Sequence, residues 1–144
     1  MKIGLASDHG GFEMKEEIKG YLKDYEVEDY GTYSTESVDY PDYGKKLAEA
    51  VISKEVDFGI AFCGTGIGIS ISCNKVKGIR AALCFNEYMA RKTREHNNAN
   101  ILCIGGRTTG IEIAKAMIDE FLNTDFEGGR HQKRVDKICK MEEE

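Results

Sequence analysis

Short apolar runs alternate with longer amphipathic segments along the 144 residues of this chain. Each short run predicts a β-strand, and these runs lie at residues 2–7, 26–30, 57–63, 80–85 and 100–105. Apolar side chains at helical spacing predict helices at residues 12–24, 42–53, 66–76, 87–95, 110–122 and 131–140. Strands that alternate with helices are typical of βαβ units, so we expect a doubly wound α/β fold with a parallel sheet of five strands.

The predicted strands are mostly apolar without strict alternation, as expected of parallel strands that helices cover on both faces. No linker, repeat or low-complexity tract divides residues 1–144, so we expect a single domain. In such a sheet, ligands bind beyond the carboxyl ends of the strands. The loops that follow the strands are therefore the first place to look for chemistry.

Charge and composition exclude several functional classes. The formal net charge of −5 argues against a nucleic-acid or anionic-membrane partner. No apolar stretch is long enough to span a bilayer, and the opening run is too short for a signal sequence, so we expect a cytoplasmic protein. The five cysteines form no C-x-x-C pair, which favours free thiols in a reducing compartment over a disulfide framework or a zinc site.

Three polar loops follow predicted strands. "SDHGG" follows the first strand, "CGTGIG" the third and "GGRTTG" the fifth, while "REHNNAN" closes the fourth helix and leads into the fifth strand. Because the carboxyl ends of parallel strands lie at one edge of the sheet, we expect the first three loops to open together.

The glycine loop from Gly64 to Gly68 does not match the common nucleotide-binding patterns. Ile69 stands where a dinucleotide-binding loop has its third glycine, the loop follows the third strand instead of the first, and no Lys-Ser or Lys-Thr pair follows it. Amides at the start of a helix suit a phosphate or a developing oxyanion. A tight turn with no ligand is the alternative interpretation.

Cys63 stands at the entrance of this loop, at the end of a predicted strand. A thiol at the start of a helix can ionise to a thiolate near neutral pH and act as a base or nucleophile. A buried core thiol is the alternative, but the position of Cys63 favours chemistry. The four other cysteines, Cys73, Cys84, Cys103 and Cys139, lack such surroundings, and we interpret them as structural.

The three histidines fall in polar loops or at helix ends, which argues against core packing for any of them. Asp8, beside His9, suits an N-cap of the next helix and a ligand-binding role equally well. His96 precedes Asn97 and Asn98, so titratable and amide groups that suit sugar hydroxyls meet in one stretch. A solvated helix end is the alternative for that stretch.

Basic residues gather near the carboxyl end of the chain. Arg130 and Arg134 are four residues apart, which places both guanidinium groups on one helix face where they can hold a phosphate. Arg107, in the loop after the fifth strand, is a candidate to join them. A solvated cationic face is the alternative interpretation.

The only proline, Pro41, lies in the segment "VDYPDYG". We expect it to keep Tyr40 extended and to let Asp42 start the next helix. For Tyr40 and Tyr43, packing of this loop against the core is favoured over walling a pocket.

Six segments in order resemble ribose-5-phosphate isomerases of type B: "SDHGGFEMK", "VDYPDYG", "CGTGIGISI", "NKVKGIRAAL", "REHNNANIL" and "EGGRHQKRV". The resemblance runs nearly end to end. It implies a Rossmann-like three-layer α/β/α sandwich that forms homodimers, and possible tetramers of dimers, with active sites built from both subunits. The implied activity is isomerisation of D-ribose 5-phosphate and D-ribulose 5-phosphate through an enediolate, in the non-oxidative pentose phosphate pathway.

The resemblance also implies a role for each motif residue. Cys63 would be the base that moves a proton between C1 and C2, and His96 the acid that assists ring opening. Asp8, His9 and Asn97 would hold the sugar. The amides of Gly64, Thr65, Gly66, Ile67 and Gly68 would receive the oxyanion, and Arg107, Arg130 and Arg134 would bind ligand or phosphate. Some family members use a glutamate elsewhere as the base, but Cys63 is present here and Cys73 is not a carboxylate.

Such an isomerase needs a base, an oxyanion site and a phosphate anchor, and we expect neither a cofactor nor a metal. The wider family includes galactose-6-phosphate and allose-6-phosphate isomerases, which are the near alternatives. A non-catalytic nucleotide- or flavin-binding module of flavodoxin-like architecture is a distant one, which the missing dinucleotide pattern disfavours.

Overall fold

The computed structural model describes residues 1–144 as one sheet of five parallel strands covered by six helices. The strands are β1 (Lys2–Ser7), β2 (Glu26–Asp29), β3 (Phe58–Cys63), β4 (Ala81–Leu83) and β5 (Ile101–Gly105). The helices are α1 (Phe12–Tyr21), α2 (Tyr40–Ile52), α3 (Ile67–Cys73), α4 (Glu87–Asn97), α5 (Ile111–Leu122) and α6 (Arg130–Met141). The predicted five-stranded parallel sheet is confirmed.

The strand order is β2-β1-β3-β5-β4. After β1 the chain adds β2 on one side, and after β3 it adds β4 and β5 on the other side. The topological switch point therefore lies between β1 and β3. Ligands of doubly wound sheets bind in the crevice at this point. The loops that begin at Asp8 and Gly64 flank it.

Two apolar clusters fill the space above and below the sheet. Successive strand residues point to opposite faces, so Phe62 packs toward α1 and α5 whereas Cys63 packs toward α2 and α3. The first cluster contains Ile3 and Ile104, and the second contains Leu47. Helices on both faces give the three-layer α/β/α arrangement. No helix is long and apolar enough to cross a bilayer.

Several element boundaries differ from the predicted ones, and those of α2, β4 and α4 bear on the site. Helix α2 begins at Tyr40 with Pro41 in its first turn, so the expectation that Tyr40 is extended and Asp42 starts the helix is wrong. Proline is well placed there because the first-turn N–H groups have no helical acceptor. Strand β4 spans three residues instead of six, since it lies at the sheet edge and pairs with β5 alone.

Helix α4 extends two residues further than predicted, to Asn97. Asn98 then ends it with a left-handed backbone (φ 48°), and its N–H donates to the Thr93 carbonyl. His96 and Asn97 therefore belong to the last helical turn and take their direction from α4.

A buried ion network fixes the backbone beside the exit of β1. Lys15 is fully buried, and its Nζ lies 2.7 Å from both carboxylate oxygens of Asp29. Lys19 Nζ donates to Asp29 at 2.8 Å and the Gly31 N–H donates at 2.9 Å. Gly31 in turn accepts a hydrogen bond from the Ser7 N–H at 2.7 Å. The network therefore holds the strand end from which Asp8 projects.

Burial on its own would raise the pKa of Asp29. The hydrogen bonds from Lys15, Lys19 and the Gly31 N–H outweigh burial, and the pKa lies below its ordinary value. A carboxyl group with a lowered pKa stabilises the folded state at neutral pH, and that contribution disappears as the pH falls through the folded-state pKa.

We predict that Asp29→Asn lowers the free energy of unfolding at pH 7 by about 3 kcal/mol, because Lys15 stays buried without its main counter-ion. The difference from wild type should narrow as the pH falls through the lowered folded-state pKa of Asp29, where the wild-type carboxyl group gains its proton. Urea unfolding across this pH range measures it, with the exposed Asp24→Asn as control. An equal difference at every pH would contradict the prediction.

Candidate active site

The three predicted loops meet at the carboxyl rim, the sheet edge formed by the carboxyl ends of the strands. The Gly106 N–H donates to the Cys63 carbonyl at 2.8 Å, and the Arg107 N–H donates to the Gly64 carbonyl at 2.9 Å. The Asp8 N–H donates to the Phe62 carbonyl at 3.3 Å. The expectation that these loops open together is confirmed.

Glycines let these loops pack backbone against backbone. A Cβ on Gly10 would lie 3.0 Å from the Gly64 nitrogen, and one on Gly106 would lie 2.9 Å from the Gly10 carbonyl oxygen. A Cβ on Gly11 would come within 2.5 Å of the Phe62 carbonyl group. Side chains at these positions would push the three loops apart, so the glycines set how closely the polar groups converge.

The turn from Cys63 into α3 depends on Gly66, which has a left-handed backbone (φ 79°). Its N–H donates to the Cys63 Sγ at 3.1 Å. A Cβ on Gly66 would lie 2.6 Å from a Leu83 methyl group and 2.9 Å from the Ile104 carbonyl carbon. Cys63 itself is 4% exposed, so its side chain is held in place beneath the loops of the carboxyl rim.

Several backbone N–H groups beside the Cys63 sulfur have no protein acceptor. The Gly66 amide is engaged by the sulfur, and the Ile67 amide donates to Thr65 Oγ1 at 3.2 Å. Four other amides of the loop and of the first turn of α3 are unpaired, namely those of Gly64, Thr65, Gly68 and Ile69. Unpaired amides at a helix start can stabilise negative charge that develops next to the sulfur.

Asp8 and His9 flank the glycine loop from the β1 side. Asp8 is nearly buried, and its Oδ1 accepts the Gly11 N–H at 3.1 Å, while the N-cap of α1 is Gly11. His9 Nδ1 accepts the Val38 N–H at 3.2 Å, so the neutral ring carries its proton on Nε2. His9 and Arg107 line a cleft of about 350 Å³.

Arg107 places a positive charge over the glycine loop. The side chain is exposed, and a Cβ added to Gly64 would lie 3.2 Å from its guanidinium nitrogen. Its backbone bond to Gly64 fixes the base of the side chain. A negatively charged group in the cleft would meet this guanidinium.

The other predicted site residues lie near the amino ends of the strands, which we call the amino rim. They are His96, Asn97, Arg130 and Arg134. Helix α4 starts after the carboxyl end of β4 and runs back, so its last turn with His96 and Asn97 lies near the start of β5. Cys63 pairs with Gly105 at the far end of β5. Five strand residues span about 16 Å, so His96 cannot reach the Cys63 of its own chain.

His96 has two partners that the sequence did not single out, Glu127 and His131. The imidazole rings of His96 and His131 stack with centroids 4.2 Å apart and planes 11° apart. Glu127 Oε1 lies 3.3 Å from His131 Nε2 and 3.9 Å from His96 Nε2. The expectation that no histidine is packed inside is wrong for His131, which is nearly buried. Burial and the nearby charges of His96 and Arg130 lower its pKa.

A buried arginine supports this end of the fold. Arg94 donates to the Ala99 carbonyl at 2.7 Å, to Asn98 Oδ1 at 2.9 Å and to the Thr124 carbonyl at 3.2 Å. Its guanidinium also lies 4.8 Å from the centre of the Phe58 ring. Arg94 therefore ties the end of α4 to the segment that leads into α6, where Arg130 and Arg134 lie exposed.

Two of the remaining thiols, those of Cys84 and Cys103, are held in their protonated form by the core. Burial raises the pKa of Cys84 to about 12. A hydrogen bond with Cys73, together with burial, raises the pKa of Cys103 well above its ordinary value. Cys63 lies at the carboxyl rim, at the start of the loop that carries the unpaired amides.

Comparison with known proteins places this geometry in a family. Residues 3–138 match the sequence profile of the Ribose/Galactose Isomerase family. The chain belongs to the ribose/galactose isomerase family. The resemblance drawn from the motifs is thereby confirmed.

Three relatives of this ribose/galactose isomerase family illustrate the match. Ribose-5-phosphate isomerase B of Escherichia coli (strain K12) is 48% identical, over 99% of this chain and 97% of the relative. The solved structure of Clostridium thermocellum ribose-5-phosphate isomerase B is 58% identical with a TM-score of 0.98, covering 99% of this chain and 98% of that one. The Mycoplasma genitalium ribose-5-phosphate isomerase B, solved with bound ribulose-5-phosphate, is 42% identical with a TM-score of 0.93, covering 99% and 97%.

We predict that Gly66→Ala lowers the free energy of unfolding by about 3 kcal/mol or more, since it combines a left-handed backbone with a clash against the Ile104 backbone. Chemical denaturation measures the loss. The matched control is Gly20→Ala in α1, where a Cβ meets no atom within 4 Å. That change should stabilise the protein by up to about 1 kcal/mol, because alanine is the better helix former. Equal effects of the two changes would contradict the prediction.

Proposed function

We propose that this protein interconverts D-ribose 5-phosphate and D-ribulose 5-phosphate. The proposal rests on the position of the Cys63 sulfur beside unpaired backbone amides, in a chain of the ribose/galactose isomerase family. The relatives named for this reaction cover nearly the whole chain, and one of them was solved with ribulose-5-phosphate bound.

The carboxyl rim supplies a base and an oxyanion site. In the open-chain aldose, the Cys63 thiolate takes the proton from C2, and the electron pair of that C–H bond moves toward the C1 carbonyl to give an enediolate. The unpaired amides of Gly64, Thr65 and Gly68 receive the negative charge that develops on oxygen. The same sulfur then returns the proton to C1, and the hydroxyl proton of O2 passes to O1, so that C2 becomes the carbonyl carbon. One carbon base suffices and the net reaction consumes no co-reactant.

Ring opening needs an acid, and we assign it to His96 of a second copy of the chain. Within one chain, His96 and Asn97 lie at the amino rim, a strand length away from Cys63. Pairing two copies by a two-fold axis would give each Cys63 the other copy's His96. Asp8 and His9 would then hold the sugar hydroxyls from the side of Cys63, and Asn97 from the side of His96.

An exposed apolar surface suits this pairing. Ile67 and Ile71 on α3 are 50% and 57% exposed, while Phe85 and Tyr88 at the start of α4 are 56% and 62% exposed. They flank β4, which is one of the two edge strands of the sheet, and Ile67 lies within the glycine loop at the start of α3. Large apolar side chains grouped on a surface are typical of a protein interface. We infer a homodimer with its active sites at the boundary.

Three arginines are free to bind the phosphate group. Arg91 pairs with a carboxylate, and Arg80 and Arg94 donate to backbone carbonyls, which leaves the side chains of three arginines unpaired, namely Arg107, Arg130 and Arg134. A guanidinium binds phosphate through two parallel hydrogen bonds. Arg107 lies on the Cys63 side and the other two on the His96 side, so we assign the phosphate to arginines of both copies.

We predict that the purified protein isomerises ribose 5-phosphate and that Cys63→Ala lowers kcat by at least about a hundredfold, because the proton-transferring base is lost. The half-buried Cys139→Ala is the matched control and should retain activity. Wild-type enzyme in D₂O should exchange the C2 proton of the aldose. Faster turnover of galactose 6-phosphate or allose 6-phosphate than of ribose 5-phosphate would show that a hexose phosphate is the substrate. Full activity of Cys63→Ala would show that Cys63 is not the base.

We also predict that Cys63→Ala and His96→Ala, each inactive alone, recover activity when the two are mixed and allowed to exchange subunits. Half of the dimers in an equal mixture are hybrids, and each hybrid has one intact site. The mixture should therefore reach about a quarter of wild-type activity. Size-exclusion chromatography with light scattering checks that dimers are present. A mixture that stays inactive although hybrids form would contradict the shared site.

A further inference from the structure

Glu127 and His131 surround His96 in a way that the proposed reaction does not yet use. The stacked His131 ring covers one face of the His96 ring at 4.2 Å, and the Glu127 carboxylate lies at the Nε2 edge of both rings. The side chain of His131 is 8% exposed, whereas that of His96 is 37% exposed. His96 can therefore meet a ligand while His131 supports it from behind.

The backbone holds this cluster in place from two sides. The Glu127 N–H donates to the Glu95 carbonyl at 3.1 Å, which fastens the segment before α6 to the last turn of α4. Gly128 and Gly129 both have positive φ angles, 68° and 53°, and turn the chain so that His131 falls in the first turn of α6. The contact with His96 thus follows from the chain path.

The chemistry of the cluster separates the roles of the two histidines. Burial and the charges of His96 and Arg130 lower the pKa of His131, which keeps that ring neutral at physiological pH. Glu127 Oε1 lies 3.3 Å from His131 Nε2 and 3.9 Å from His96 Nε2. The carboxylate therefore faces both rings, and its closer approach is to His131.

We propose that Glu127 and His131 are positioning residues that hold the His96 imidazole in the orientation needed for ring opening. This inference rests on the proposed function, in which His96 is the ring-opening acid. The stack restrains the plane of the His96 ring, and the carboxylate restrains its rotation within that plane. Neither residue touches the reacting carbons, which lie with the Cys63 half of the site.

A metal ion is a weaker interpretation of the same cluster. The ligand atoms of His96, Glu127 and His131 all lie within 4.8 Å of one another, which is looser than the roughly 3.4 Å between the ligand atoms of a tetrahedral zinc site. Arg130 and Arg134 belong to the same short segment, and the start of α6 adds partial positive charge. These positive charges oppose a dication and favour the phosphate of the substrate.

The test compares two reactions of the same enzyme. Ribose 5-phosphate is mainly a closed ring and needs opening, whereas ribulose 5-phosphate cannot form a furanose ring because its O5 carries the phosphate. Uptake of deuterium from D₂O into C1 of ribulose 5-phosphate therefore reports the Cys63 step without ring opening. We expect Glu127→Ala and His131→Ala to lower kcat on ribose 5-phosphate by about tenfold to a hundredfold, with deuterium uptake within about twofold of wild type.

Conservative variants and a matched control sharpen the comparison. His131→Phe keeps a stacked ring in the buried position, and Glu127→Gln keeps an acceptor oxygen, so each should recover part of the activity lost in the alanine variant. Glu120→Gln removes a carboxylate of similar exposure that pairs with Arg91 at 3.5 Å, and it should leave both reactions unchanged. Thermal melting confirms that each variant is folded.

The outcomes distinguish this inference from the proposed function. Equal loss of ring-dependent turnover and deuterium uptake, or no loss of either, would overturn the positioning role alone. A wild-type enzyme that takes up no deuterium would overturn the proposed isomerisation and this inference with it. Activity that EDTA removes and Zn²⁺ restores would make the cluster a metal site and overturn the positioning role.

Discussion

All five strands of the sheet run in the same direction, and the positions of the functional groups follow from this. Parallel strands place every carboxyl end at one rim, so each connecting helix must carry the chain back to the other. Cys63 ends β3 at the carboxyl rim, whereas His96 ends α4 at the amino rim. Chemistry that needs both side chains therefore requires two copies, and pairing becomes a condition of the proposed reaction instead of an addition to it.

The carboxyl rim builds its half of the site mainly from backbone. The loops after β1, β3 and β5 approach so closely that a Cβ on Gly10 would meet the Gly64 nitrogen and one on Gly106 would meet the Gly10 carbonyl oxygen. Amides fixed in this way need no side-chain ordering when charge develops in a transition state, which is what makes such donors effective. The buried pair of Lys15 and Asp29 lies outside the site, yet it holds the strand end that delivers Asp8.

The sequence predicted the parts of the fold that have a period. Buried parallel strands are continuous apolar runs, and amphipathic helices such as α5 have apolar residues at helical spacing, so both are visible along the chain. The last turn of α4 was missed because His96 and Asn97 are polar and carry no apolar period. The ends of β4 were missed because the length of an edge strand depends on which of its backbone groups find partners in neighbouring elements. Here the Asn74 side chain accepts a hydrogen bond from the Ala81 N–H and donates one to the Ala81 carbonyl.

The candidate site was predictable only where it follows from the order of the strands. Loops that follow parallel strands must share a rim, so the grouping of Asp8, Cys63 and Arg107 follows from strand order. The burial of His131 does not follow from strand order, because it depends on stacking against the ring of His96, which lies 35 residues earlier in the chain. Polar residues near glycines usually mark exposed turns, so the sequence pattern gave no sign of this burial. Lys15 is a similar case, since its buried position is tolerable only through Asp29 on another element.

The separation of the two half-sites also bears on substrate choice. In the proposed complex, arginines anchor the phosphate at one end of the sugar while Cys63 acts on C1 and C2 at the other. A hexose phosphate places one more carbon between these points than a pentose phosphate does. In that complex, Arg130 and Arg134 would approach Cys63 only across the boundary between copies, so the span available to the sugar would be set by how two chains pack. Residues at that boundary, far from any reacting atom, would then control which sugar phosphate fits.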